Sequence, residues 1–196
     1  MSKSSPLTVL AEKVQILLRS RYGLWGMGFI SFLESALPVP LITDPFMAIY
    51  ILANQKKAVQ AVLVTTFTSV TGGLLAYYVA YFVRDPILAY FSPEFVAEFN
   101  KIALEAQTET FALTILGAVT PIPYTAVAMA IGLSAGNVWL FILASLLGRG
   151  ARYSIVGYLT YKLGVMANGK VKQALFYLSV TTVLALCIYL VFSLLF

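Results

Sequence analysis

The sequence predicts an all-α polytopic membrane protein built from two inverted repeats. Each repeat is a proline-broken re-entrant helical hairpin plus a spanning helix, with an amphipathic helix before them and a spanning helix after them. Three observations lead there. Of 196 residues, 60% are hydrophobic and only 11% are charged, with a mean hydropathy of +0.88. Soluble domains are roughly 45–50% apolar and about 25% charged, so the surplus apolar surface must face lipid. Two of the five apolar segments are broken by prolines, and the loops between segments divide into basic ones and one acidic one, 84–109.

Residues 1–21 carry Lys3, Glu12, Lys13, Arg19 and Arg21 without a continuous apolar run or a small-residue cleavage site, so they do not read as a cleaved signal peptide. Leu7, Leu10, Ala11, Val14, Leu17 and Leu18 recur at helical spacing, which predicts an amphipathic helix on the membrane surface or packed on loops. The core follows over 22–162. Its first segment, 22–53, is broken by Glu34, Pro38, Pro40, Asp44 and Pro45. Its arms, Tyr22–Leu37 and Leu41–Ala53, fall short of the about 20 residues that a span needs. A proline-rich break also frees backbone groups that lipid cannot satisfy, so it must be buried in protein or face water.

Charge supports a hairpin there. Four basic residues and one acidic residue precede the segment, and Lys56 and Lys57 follow it. Positive loops prefer the cytoplasm, so both ends lie on one side. Residues 58–83 then span outwards. The external loop 84–109 sets Arg84 and Lys101 against Asp85, Glu94, Glu98, Glu105 and Glu109. Within it, Ser92-Pro93-Glu94 reads as an N-cap, an N1 proline and an acidic first turn, the start of a short surface helix. Residues 110–135, broken by Pro121 and Pro123, form the second re-entrant hairpin. Residues 138–161 cross inwards to Lys162, Lys170 and Lys172. Residues 163–196 make a loop and a last span.

The halves align at an offset of 76 residues: Pro45 on Pro121, Gly72 on Gly148, Tyr77 on Tyr153 and Phe82 on Tyr158. Inverted repeats with broken helices are a transporter pattern, and the site lies where the breaks meet.

Composition excludes several chemistries. There is no histidine, and Cys187 is the one cysteine, so zinc sites, His-based triads and a disulfide framework are out. No Walker-type loop occurs, which argues against ATP hydrolysis. The net charge of +5 reports cytoplasmic loops rather than nucleic-acid binding. No cofactor and no enzymatic activity are expected.

Four charges remain inside apolar segments: Glu34, Asp44, Arg149 and Arg152. Each costs roughly 2.5–3.5 kcal/mol at the bilayer centre on insertion scales. They either lock the fold by pairing or line a polar pathway. Arg149 and Arg152 stand three apart on one helical face, and the guanidinium fork suits phosphate, so they are the substrate phosphate-binding candidates. Glu34 and Asp44 are the proton-coupling candidates, because low dielectric raises a carboxyl's affinity for protons. Glu34 is the preferred carrier, and both carboxylates are expected to alternate between pairing with arginine and carrying a proton while substrate takes their place. Pro38, Pro40, Pro45, Pro121 and Pro123 end the half-helices; arms beginning after Pro45 and Pro123 would offer N-termini to anions. Gly72, Gly73, Gly148 and Gly150 permit close helix packing.

The run Phe32-Leu33-Glu34-Ser35-Ala36-Leu37-Pro38-Val39-Pro40, with Asp44 after it, resembles the first re-entrant loop of the DedA family, also called the SNARE-associated or VTT family. Gly117-Ala118-Val119-Thr120-Pro121-Ile122-Pro123-Tyr124, followed by Ala130-Ile131-Gly132-Leu133, resembles the second. Gly148-Arg149-Gly150-Ala151-Arg152-Tyr153 is similar to the run of the branch that includes YqaA-type proteins. The likeness covers about residues 22–162. Two family features are missing: basic residues flanking the second proline break, and an acidic residue after the glycine pair, where Leu74 stands. The resemblance implies translocation of a lipid phosphate, undecaprenyl phosphate or a phospholipid, linked to protons, in a bacterial inner membrane with the N-terminus cytoplasmic. The implied partners are membrane lipids and protons; a homodimer is compatible with it, nucleic acid is not. A small-ion or solute transporter and a non-transporting structural factor are the competing readings.

Overall fold

A computed structural model describes residues 21–38, 43–120 and 122–166. The expected helices at 1–21 and at the C-terminal end, with Pro40 and Pro121, lie outside those residues. The described residues form seven α-helices and no strand: α1 Arg21–Ala36, α2 Thr43–Ala53, α3 Ala58–Leu88, α4 Pro93–Thr108, α5 Thr110–Val119, α6 Tyr124–Leu133 and α7 Val138–Met166. A 3-10 turn, Gln55–Lys57, joins α2 to α3.

Gln55–Leu88 and Val138–Met166 are long and apolar enough to cross a bilayer. The bent pair Pro93–Thr108 and Thr110–Val119 would make a third crossing if counted as one span. Both long helices exceed their expected ends. The first continues past residue 83 through Arg84-Asp85-Pro86 to Leu88, and the second past 161 to Met166. Arg84 explains the first extension. Its Nη2 donates to Asn100 Oδ1 at 2.9 Å and its guanidinium lies 5.9 Å from the Phe99 ring, so α4 pairs the charge.

The expected external loop 84–109 is mostly helix. Ser92 caps α4, its Oγ accepting from Phe95 N at 3.3 Å, with a proline in the first turn, as the sequence predicts. The helix then runs 16 residues, because Val96, Phe99, Ala103 and Ala106 recur on one face and are at least half-buried. At Glu109 the chain turns by 78° into α5. No proline or glycine makes that bend. The Thr110 hydroxyl donates to the Gln107 carbonyl at 2.9 Å, and Gln107 Nε2 donates to the Ser134 carbonyl at 2.7 Å.

The chain divides into two compact units. Among the described residues, the first holds 21–30, 43–65 and 153–166. Its core is one apolar cluster, with Met27 from α1, Met47, Tyr50 and Ile51 from α2, Ala61 from α3 and Tyr153 from α7. The Thr65 hydroxyl donates to the Ala61 carbonyl at 2.7 Å, which satisfies it inside its own helix.

The second unit holds Ser31–Val39 and Thr66–Arg152. Here α5 and α6 lie side by side as a helical hairpin, close enough that a Cβ on Gly117 would stand 2.5 Å from Val127 Cγ2. Each arm is ten residues, about 15 Å, or half a hydrocarbon core. Their cluster is Ala76, Tyr77, Ala118, Tyr124, Ala128, Ile131 and Phe141. The end of α6 is a Schellman turn: Gly136 N donates to the Ile131 carbonyl and Ala135 N to the Gly132 carbonyl. Ala135 takes the left-handed position, φ 53°.

Candidate functional site

The second unit buries the one charged side chain found buried among the described residues, Arg149 of α7, which is 2% exposed. A guanidinium in an apolar bundle needs donors matched and a carboxylate near. The last turn of α1 supplies both. Arg149 Nη2 lies 3.3 Å from Glu34 Oε1 and 3.4 Å from Ser35 Oγ. Ser35 Oγ in turn lies 2.7 Å from Ser69 Oγ on α3.

Two adjacent glycines let this cluster form. A Cβ on Gly72 would strike the Phe32 carbonyl, so α1 rests on bare backbone of α3 and brings Glu34 and Ser35 inwards. A Cβ on Gly73 would stand 2.5–2.8 Å from the Tyr124 ring. That space seats the ring, and the Arg149 guanidinium lies 4.4 Å from its centroid. Tyr124 is held twice more: its hydroxyl is 2.7 Å from Ser145 Oγ, and its ring stacks on Phe141 at 6.1 Å. Thr125, next along α6, donates to the Glu34 carbonyl at 2.6 Å and the Leu37 carbonyl at 3.2 Å. The first turn of α6 thereby satisfies orphan carbonyls at the end of α1.

Arg152 points elsewhere. Its Nη1 donates to the carbonyl of Thr120, the C-cap of α5, at 3.1 Å. A cation there meets the negative end of the α5 dipole. Arg149 and Arg152 share a helical face but contact different partners, one a carboxylate and the other a helix end.

Asp44 belongs to the first unit, in the first turn of α2, where a carboxylate suits free helix N–H groups. Pro45 lies inside that turn, not before the arm as expected, because α2 already starts at Thr43; first-turn proline removes no helical hydrogen bond. Pro123 stands at the N-cap of α6, and Pro38 follows the end of α1. Gly148 packs on α5, where a Cβ would meet Ala118 Cβ at 2.6 Å. Gly150 differs from the other three glycines. A Cβ there meets nothing nearer than Thr66 Cγ2 at 3.8 Å, so close packing does not require it.

The residues around the pair that residue-by-residue reading missed are Ser35, Ser69, Tyr124, Thr125 and Ser145. Each is a small hydroxyl or an aromatic inside an apolar helix, and only the position of Tyr124 directly after the Pro-Ile-Pro break marks it out. Chemically, the cluster is a neutral carboxylate–guanidinium pair in a low-dielectric nest. Glu34 is 15% exposed against 2% for Arg149, so the carboxylate is the less enclosed of the two. No group of metal-ligating side chains occurs among the described residues.

Long apolar helices around a buried ion pair define a multi-pass membrane protein. The VTT domain model matches residues 39–162, and the chain belongs to that family, the DedA family. Asp44, Arg149 and Arg152 fall inside the match, and Glu34 falls before it. No curated protein and no solved structure matches the chain.

Proposed function

We propose that this protein translocates a lipid phosphate across the bilayer, coupled to protons, without catalysing a chemical reaction. The observation that carries the reading is the Arg149–Glu34 pair at 3.3 Å, buried among apolar helices. An anionic phosphate offers the guanidinium the same charge and acceptors that Glu34 offers. A phosphate therefore replaces the carboxylate when Glu34 takes a proton, and Glu34 returns when the phosphate leaves. Asp44 serves as a second proton site, and Arg152 contributes to phosphate binding when it releases the α5 end.

In this reading the two hairpins are re-entrant, the repeats are inverted, and the chain sits in a bacterial inner membrane with its N-terminus cytoplasmic. The lysines at 56, 57 and 162 on the ends of the long helices support that orientation. The proposed substrate class is a polyprenyl phosphate or a phospholipid, which membership of the DedA family supports.

The test is movement of labelled polyprenyl phosphate in proteoliposomes, with and without an imposed pH gradient, for wild type, Glu34→Gln and Arg149→Ala at matched folded amounts. Transport that follows the gradient and fails in both variants supports the reading. Transport no faster than in protein-free liposomes removes this substrate. Transport retained in both variants removes the role of the pair.

A further inference from the structure

The first unit carries an open cavity of about 770 Å³ that the reading above does not use. Ligand sites span roughly 300–1,000 Å³, so it is large enough to hold one molecule. Its bed is apolar: Val59, Val62 and Leu63 from α3, with Gly157 and Tyr158 from α7. Val59 is 73% exposed, Leu63 52% and Tyr158 61%, so the bed is uncovered. From Lys56 to Leu63 is seven residues of nearly continuous helix, about 10 Å along the axis. Lys56 and Tyr161 line the same cavity, and no carboxylate does so among the described residues. The cavity thus has a basic rim and a greasy floor.

We propose that this groove binds one anionic glycerophospholipid of the surrounding bilayer. Its phosphate sits at Lys56 with the Tyr161 hydroxyl as a further donor, and one acyl chain lies along Val59, Val62 and Leu63. Charge decides this occupant over the chain's own C-terminal segment. Residues 167–196 contain Lys170 and Lys172 and no acidic side chain, so they add positive charge rather than neutralise Lys56. A phosphodiester neutralises it. The groove shares no residue with the Glu34–Arg149 cluster, so the inference stands apart from the transport reading.

The test places a benzoylphenylalanine at Val59 of the full chain, in vesicles of equal phosphatidylglycerol and phosphatidylcholine, and identifies the photo-adducts by mass spectrometry. The same probe at Phe67, which is 58% exposed on α3 outside the groove, reports ordinary boundary lipid. The expected result is about fivefold more phosphatidylglycerol than phosphatidylcholine adduct at position 59, the preference one basic residue gives. The preference falls to parity in Lys56→Gln and is absent at position 67. Lys56 is exposed, so that variant folds normally. The same headgroup ratio at 59 and 67, or a preference that survives Lys56→Gln, overturns the proposal. So does an adduct to a peptide from 167–196. At matched folded amounts Glu34→Gln keeps the adduct pattern whatever it does to transport, so the two readings fail separately.

Discussion

The two units solve opposite problems with the same kind of helix. The first packs Met27, Met47, Tyr50 and Ile51 into an apolar cluster. The second surrounds Arg149 with Glu34, Ser35, Ser69, Tyr124 and Ser145. The core of the first is an apolar contact cluster. The other must also match charge and hydrogen bonds, and errors in a low-dielectric polar cluster cost more than errors in packing.

The sharpest way to break that contrast is to unbalance the charge. Glu34→Gln should destabilise the protein by about 3–5 kcal/mol, because it leaves the Arg149 guanidinium buried without its carboxylate. Adding Arg149→Gln should recover part of that loss. Thermal unfolding in detergent, single variants against the double, measures both; equal and additive losses would mean the pair is uncoupled. A cavity in the apolar unit should cost somewhat less. Ile51→Ala, at a fully buried position, is expected to lose about 2–5 kcal/mol in the same assay without changing any pH dependence.

Glycines refine the comparison. Gly72→Ala should cost about 1–3 kcal/mol, since the new methyl meets the Phe32 carbonyl and neither backbone can yield easily. Gly150→Ala should be neutral or stabilising by up to about 1 kcal/mol, because space is open and alanine favours helix. If Gly150→Ala proves the more harmful, the packing assignment is inverted.

The smallest effect lies at the exposed start of α4. Ser92→Ala removes the α4 cap and should lower stability by about 1 kcal/mol. Glu94 beside it has its carboxyl held below the ordinary value, first by a main-chain N–H of its own and then by the Ser92 hydroxyl. A depressed carboxylate stabilises the fold above its unfolded pKa, and that contribution disappears as pH falls through the folded one. Amide protection in α4, corrected for the intrinsic exchange rate at each pH, should therefore fall on acidification below about pH 4, near and under the usual glutamate value. Corrected wild-type protection that stays flat there would refute it.

Hydropathy and charge made the two long helices legible. They placed the start of α4 from Ser92-Pro93-Glu94 but not its length, because the glutamates masked the apolar face of Val96, Phe99 and Ala103. The span ends were read short at residues 83 and 161, since Arg84 and Lys162 look like loop in sequence and are helix in space. Glu34 and Arg149 stood out as costly charges. Their meeting did not, because 115 residues separate them and only the fold closes that distance. The separate contacts of Arg149 and Arg152 were equally hidden. Helical spacing put them on one face but could not say that Thr120 ends a helix beside Arg152.

Gly72 and Gly132 have one more consequence. At Gly72 the α1 backbone rests on α3. At Gly132 α6 rests on α3 in the same way, where a Cβ would strike the Tyr77 carbonyl. Main chain meets main chain at both places, with no side chain between to change rotamer. A cushioned joint tilts by repacking; a bare one has nothing to repack. Movement of either arm over α3 is thereby restricted to sliding along the helix surface, a shear of small steps rather than a hinge.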